Sequence, residues 1–347
     1  MPSLPRLALA FALGLSTPGL ALAAPDVVAT TKPIHSLVAM VMGDVGTPRL
    51  LVSGSNSPHT YALRPSDAGA LEAADIVVWT GPGMELFLTQ ALETLAIAAD
   101  VVTLSETSGL ALLPVREGGA FEPHVHGEGE DHDHDHEEHE HEEHEHEHEG
   151  HDHEAEGHDH EEHDHEGHDH EGHDHGAFDM HYWLDPENAR LMVSEIARRL
   201  SAADPGNAAA YAANAEAADA TLAALTDEIT QTLTPVADTP FIVFHDAFHY
   251  FEDRFGMRAV GSITVTPDVA PGARRISALR DRIAESGAAC VFAEPQFSAA
   301  VVSTIIDGTP ARTAVVDPEG ATLTEGPDLY PQLLRAIAAS MSACLSQ

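Results

Sequence analysis

Positive charge is scarce in this chain. Sixteen Lys and Arg stand against 57 Asp and Glu, giving a formal net charge of −41 over 347 residues. A nucleic-acid binder needs a basic face, so that class is excluded. An acidic surface also repels anionic lipid headgroups, and it attracts cations weakly and without selectivity. Cysteine is limited to Cys290 and Cys344. After the first two dozen residues no apolar run approaches the ~20 residues that a membrane-spanning helix needs. Outside the histidine-rich tract described next there is no HExxH and no GxSxG, so neither a zinc-protease helix nor a nucleophile elbow is signalled.

Histidine is abundant and concentrated. Residues 122–175 hold 20 of the 25 histidines and 25 of the acids, with no Lys or Arg. The segment has almost nothing apolar to bury, so it is expected to be a disordered insertion, 122–176, with no core of its own. Neutral imidazole is a good ligand for Zn, Cu and Ni, and carboxylates add charge and oxygen donors. The chemistry expected of the tract is labile capture of a borderline transition metal. The bland alternatives are a solvated acidic linker or a pH-responsive one, and a linker needs no imidazoles.

The N-terminus reads as a secretory signal peptide over residues 1–23. Arg6 supplies the positive charge, Leu7–Leu15 the apolar run, and Ala21-Leu22-Ala23 the cleavage site, with Ala24 the first mature residue. The run is too short for an anchor, so the mature chain is expected to be soluble and exported. In an oxidising compartment the even cysteine count suggests one disulfide, Cys290 to Cys344, with two buried thiols as the alternative.

Without leader and tract about 270 residues remain, enough for two ordinary domains. Short apolar runs alternate with helical patterns. Strands are expected at 26–31, 49–52, 75–80 and 101–105, with helices at 33–43, from near Ser66, and at 84–96. The fully apolar strands imply a parallel sheet covered on both faces. Helices follow from Pro186 to Leu200 and from Pro205 to about Thr234. The second has apolar residues at Leu222, Leu225, Ile229 and Leu233 and forms a stiff rod between lobes. The alternation then returns, with strands at 241–244, 258–263, 289–293 and 313–317 and helices at 247–255, 277–287 and 329–345. The fold class read from this alternation is α/β: two doubly wound lobes joined by a long, stiff helix. The expected divisions are 24–185 for the first lobe, 186–235 for the helices and 236–347 for the second lobe.

Five histidines lie outside the tract: His35, His59, His181, His245 and His249. His59 follows a strand, His245 ends one, and His181 stands where the chain leaves the first lobe. Ligands collect at the carboxyl ends of strands in open α/β sheets, so facing lobes can bring these three together. Asp317 also ends a strand and can add a carboxylate. Three imidazoles and an oxygen suit tetrahedral Zn²⁺, whereas Mn²⁺ prefers more oxygen donors. Scattered histidines can equally be core or surface residues. His35 is read as core or surface, and His249 as a neighbour of the site or a surface group. Glu294 and Gln296 are read as positional, Tyr182 and Trp183 as lobe packing. Arg64 and Asp67 are expected to fix the His59 loop through hydrogen bonds and an ion pair. Asp246 either orients His245 or serves a helix N-terminus.

The segments SPHTYALRPSD (57–67), HYWLDPENAR (181–190), VFHDAFHYFEDRFG (243–256), ISALR (276–280), VFAEPQFS (291–298) and VVDPEGA (315–321) resemble the ZnuA-type zinc-binding proteins of bacterial ABC importers, within the cluster A-I metal-binding family. The resemblance runs in order from Asp26 to the C-terminus. It implies two α/β lobes, a rigid connecting helix and metal in the cleft. It implies His59, His181 and His245 as ligands, with water or Asp317 in the fourth position, since Pro58 replaces the acid that some zinc members carry. It also implies a second-lobe disulfide and a His/acid-rich insertion. The function implied is capture of periplasmic Zn²⁺ and its delivery to an inner-membrane ABC permease, with the tract as accessory collector or sensor. The chain is then no enzyme and acts as a monomer, with periplasmic zinc chaperones as further partners. The competing readings are a stand-alone metal buffer or chaperone, a manganese-importing component, and a zinc hydrolase.

Overall fold

The computed structural model describes residues 24–116, 121, 178–264 and 271–346. The leader over 1–23 and the tract over 122–176 lie outside the described residues.

Two four-stranded sheets, parallel throughout, organise the chain. The first holds β1 (Val27–Ala29), β2 (Arg49–Leu50), β3 (Ile76–Trp79) and β4 (Asp100–Thr103) in the order β2-β1-β3-β4. The second holds β5 (Phe241–His245), β6 (Ala259–Thr264), β7 (Cys290–Ala293) and β8 (Arg312–Val315) in the order β6-β5-β7-β8. Both orders are the same wiring. Each reverses direction beside its first strand, which opens a crevice beyond the strand ends.

The strands are apolar on both faces because both faces are covered. In β1 and β3, Val27, Ala29, Ile76 and Val78 face the centre of the molecule, while Val28, Val77 and Trp79 face outward. In β5 and β7 the central face carries Phe241, Val243, Cys290 and Phe292, and the outer face Ile242, Phe244, Val291 and Ala293. This period of two is the pleat of the strand. It also places His245, two residues after Val243, on the central side.

The outer face of the first sheet is covered by α2 (Pro65–Ala73) and α3 (Leu86–Leu95), and that of the second by α7 (Ala273–Ser286) and α8 (Ala299–Ile306). Between the sheets lie α1 (Lys32–Met42), α4 (Pro186–Ala203), α5 (Ala208–Leu233) and α9 (Leu329–Leu345), with α6 (His249–Phe255) after β5. Pro186 stands in the first turn of α4, and the Asp185 carboxylate accepts the Glu187 amide at 2.9 Å. The 26 residues of α5 make a rod of about 39 Å. Its buried stripe, Tyr211, Ala218, Leu222, Leu225, Ile229 and Leu233, follows helical spacing. That stripe packs on α1 and α4 from one side of the molecule and α9 from the other. The rod is thus part of the core, and one apolar cluster is continuous from β1 to α9.

Three expectations change in detail. Ladder pairing places only Arg49–Leu50 in β2, although the amides of Leu51 and Val52 still bond to Ala29 and Thr30. The rod begins at Ala208, because the chain turns at Pro205–Asn207. The helix α8 is unforeseen: AAVVSTII is rich in β-branched residues and carries no helix signal of its own. Cys290 and Cys344 form a disulfide that ties the start of β7 to the end of α9.

Candidate metal centre

His59, His181 and His245 meet, although 186 residues separate the first from the last. Their ring nitrogens form a group within 4.8 Å of one another. Nε2 of His181 lies 3.4 Å from Nε2 of His59 and 3.3 Å from Nε2 of His245. Two ligands of a tetrahedral ion with Zn–N of ~2.0–2.1 Å are separated by ~3.3–3.4 Å, so these two separations match edges of a zinc tetrahedron.

Each of the two buried imidazoles is locked by a carboxylate. Asp179 Oδ1 accepts from His181 Nδ1 at 2.7 Å and from the His181 amide at 3.0 Å. Glu294 Oε1 accepts from His245 Nδ1 at 2.6 Å and from the His245 amide at 3.3 Å. With Nδ1 donating, each Nε2 carries a lone pair. The lone pairs point toward a shared centre, an arrangement that repels unless a cation stands between them. Asp179 and Glu294 lie in different lobes and perform the same task, which fixes tautomer and ring plane together.

The surrounding field suits a dication. Burial, reinforced by the other two rings, holds the His59 imidazolium well below its usual range. Burial does the same for His181, with His245 adding to it. For His245 burial acts in that direction too, but the Glu294 carboxylate outweighs it and raises the pKa. Burial pushes Asp179 up to about 6.

Local structure presents His59 from the loop between β2 and α2. Asp67 gathers that loop, accepting from the Tyr61 hydroxyl at 2.8 Å and the Arg64 amide at 2.9 Å. The expected Arg64–Asp67 ion pair is not found among the described residues; the Arg64 guanidinium lies over the Tyr61 ring, 5.5 Å from its centre. His181 enters a short 3-10 turn, Tyr182–Leu184, whose side chains are fully buried. The Trp183 indole donates to the Pro318 carbonyl at 3.0 Å, and Tyr330 donates to the Trp183 carbonyl at 2.6 Å. Tyr182 and Trp183 therefore serve packing, as expected. Asp185 adds a two-pronged pair with Arg254 at 2.7 Å, joining α4 to α6.

The other candidates fall outside the imidazole group. His35 is buried against the Pro48 carbonyl, 3.0 Å away. His249 packs beside Tyr250 at the start of α6. Asp246 pairs with Arg116, so Glu294 takes the orienting role. Asp317 is not in the group either. Its Oδ1 accepts from Gln296 Nε2 and the amides of Glu319 and Gly320, and its Oδ2 from the Ala321 amide, at 2.6–3.1 Å. It builds the turn after β8. Sequence reasoning missed Asp179, whose only signal is its place two residues before His181. It also missed Lys32, a buried cation of α1 whose Nζ donates to the carbonyls of Gly320, Ala321 and Leu323.

The imidazoles line a cavity of about 10 Å³ with Ser57, Pro58, Glu294, Gln296, Phe297, Pro318 and Glu319. That is room for one ion or water and not for an organic substrate.

Two doubly wound lobes with three convergent imidazoles in a closed cleft define a metal-binding receptor of the two-lobed α/β class. The model of the family described as zinc-uptake complex component A, periplasmic, matches residues 27–344, and the chain belongs to that family. It is 52% identical to the high-affinity zinc uptake system protein ZnuA of Brucella suis over 98% of both chains. The ZnuA of Paracoccus denitrificans is 39% identical over 98% of this chain and 97% of its own. Among solved structures, a ZnuA crystal structure superposes with a TM-score of 0.68 at 23% identity, covering 92% of this chain and 99% of its own. The Mn²⁺ complex of the solute-binding protein FpvC of Pseudomonas aeruginosa gives 0.70 at 18% identity, covering 93% and 99%. The fold alone therefore does not select the metal; the donor set must. Among the described residues no helix is long and apolar enough to cross a membrane.

Proposed function

We propose that this chain captures Zn²⁺ in the periplasm at a site made by His59, His181 and His245 and delivers it to an ABC permease in the inner membrane. The observation that carries the reading is the spacing of His181 Nε2 from Nε2 of His59 and of His245, with carboxylates at Nδ1 of His181 and His245 leaving each Nε2 lone pair free for the ion. A nitrogen-rich, four-coordinate set favours Zn²⁺ over Mn²⁺, which calls for more oxygen donors. The 52% identity to a protein named for high-affinity zinc uptake points the same way.

The protein is a transport receptor and not an enzyme, a reading supported by the zinc-uptake family and relatives it matches. Residues 1–23 are an export signal, the mature chain starts at Ala24 and acts as a monomer, and 24–185, 186–235 and 236–347 are its divisions. The tract at 122–176 raises the local density of weak zinc sites and feeds or senses for the tight one. Periplasmic zinc chaperones are further partners.

The test is growth of a bacterium lacking its own zinc receptor, in chelator-limited medium, with this protein supplied. The wild-type chain restores growth. His245→Ala does not, and added zinc rescues both. Rescue by His245→Ala equal to wild type would refute delivery from this site. If removal of 122–175 abolished growth and all tight binding, the stand-alone buffer reading would replace it.

A further inference from the structure

His181 and His245 come from different lobes, and their Nε2 atoms stand 3.3 Å apart. Asp179 and Glu294 each fix the plane of one ring. That spacing also requires the two ligand-bearing segments to be held against each other. The stretch 113–116, shortly before the histidine-rich tract, touches both.

Its main chain binds the His181 segment. The Asp179 amide donates to the Leu113 carbonyl at 2.9 Å, and Pro114 pairs with Phe178 in an antiparallel bridge. The Tyr250 hydroxyl of α6 donates to the Asp179 carbonyl at 2.7 Å and accepts from the Leu113 amide at 2.8 Å. The Arg116 side chain then grips the His245 segment. Its Nε donates to the two oxygens of Asp246, the residue after His245, at 3.1 and 3.0 Å, and Nη2 donates to the same carboxylate. Nη1 and Nη2 donate to Glu252 of α6 at 2.7 and 2.9 Å. Glu252 is almost wholly buried and also accepts the Ala259 amide at the start of β6. The Phe121 ring covers the guanidinium, whose carbon lies 4.3 Å from the ring centre.

A planar fork satisfied by two carboxylates is a stiff joint, and buried charges paired in this way are costly to separate. The charge alone does nothing for zinc, because a cation beside a ligand-bearing segment repels the ion. Its benefit to the site has to be geometric. We propose that Arg116 is a positioning residue of the metal centre. It holds Asp246 and Glu252 while its own stretch of chain holds Asp179, so His245 and His181 keep the spacing that a tetrahedral ion needs and the ion escapes slowly. The proposal rests on the zinc reading of the three-histidine site and adds a residue that acts on it only through other groups. Charge and brace predict opposite signs: removing a mere charge tightens zinc binding, and removing a brace loosens it.

The experiment uses the full mature chain, titrated with Zn²⁺ against a chelator strong enough to strip weak sites. Co²⁺ absorption records the donor geometry, and chelator capture times zinc release. Wild type and His245→Ala come first. One tight zinc, lost in His245→Ala, establishes the site; tight zinc retained there would sink the zinc reading and this proposal with it. Arg116→Gln is expected to weaken zinc by about 10- to 100-fold, the range typical of outer partners of metal ligands, mainly through faster release, and to shift the Co²⁺ bands. Arg116→Lys keeps the charge without the fork and is expected to fall between wild type and Arg116→Gln in both readouts. Zinc affinity in Arg116→Gln equal to or tighter than wild type, with unmoved bands, overturns the proposal, even if the variant melts at a lower temperature. Should Arg116→Gln fail to fold, Arg116→Lys decides: wild-type affinity and bands overturn the proposal, and weakened zinc with shifted bands sustains it.

Discussion

At the scale of single residues the site depends on two carboxylates as much as on its three histidines. Asp179 and Glu294 each hold an imidazole by Nδ1 and by the main-chain amide of the same residue. Asp179→Asn and Glu294→Gln should each weaken zinc by about 10- to 100-fold while leaving the fold intact, as measured by chelator competition beside circular dichroism. Equal affinity to wild type would show that the rings are positioned by packing alone. The pH dependence has a defined sign. Zinc needs neutral imidazole, and protons displace it as pH falls. His59 and His181 have lowered pKa values and stay neutral, whereas His245 is raised by Glu294 and takes the first proton. Zinc affinity should therefore fall with a one-proton slope, about tenfold per pH unit, as pH drops through the raised His245 pKa, above the ordinary imidazole value, and steepen only near pH 6, where Asp179 also titrates. A three-proton slope from the outset would contradict this electrostatic reading. The three converging histidines were legible in the sequence because each sits in a long distinctive motif. Asp179 was not, since a lone acid at the edge of an acidic tract carries no contrast. Lys32 was hidden for a related reason: its acceptors lie almost 300 residues away, and nothing local signals a buried cation.

At the scale of elements, apolar strands between amphipathic helices fix the layers, and both sheets emerge with the expected parallel strands. The failures are local and physical. The helix α8 is written in Val, Ile and Thr, and only its packing on β7 and β8 makes it helical. The strand RLLV ends in the ladder at Leu50 because the chain must bend toward the His59 loop. The linking rod was legible as a helix from its 3–4 spacing, but its burial among α1, α4 and α9 was not, because its Ala-rich faces look alike in sequence. The disulfide belongs to this scale as well. It closes a loop of 54 residues between β7 and α9, and loop-closure entropy assigns it about 4 kcal/mol. The double variant Cys290→Ser, Cys344→Ser should lose stability of that order in chemical denaturation. Its zinc affinity should stay within a few-fold of wild type, because His245 is held from β5 and by Glu294. A large loss of affinity without loss of stability would mean that the bridge positions the site directly.

At the scale of the whole molecule, one core runs through both lobes, so the cleft cannot open as a free hinge would. Trp183, Lys32 and the Asp185–Arg254 pair tie the lobes beside the metal centre. Zinc is then expected to change side chains more than overall dimensions, and the radius of gyration from solution scattering should be the same within about 1 Å with and without zinc. The strongly acidic composition draws cations nonspecifically, and on the proposed reading the tract adds weak sites with poor selectivity among Zn²⁺, Cu²⁺ and Ni²⁺. Selectivity has to come from the cleft. The direct test is a zinc titration against a strong chelator, with Mn²⁺ in parallel, on mature protein lacking residues 122–175. One tight Zn²⁺ per chain, lost in His59→Ala, His181→Ala or His245→Ala and not matched by Mn²⁺, is the expected result. Absence of a tight zinc site in that protein would contradict the account and move the metal chemistry onto the tract.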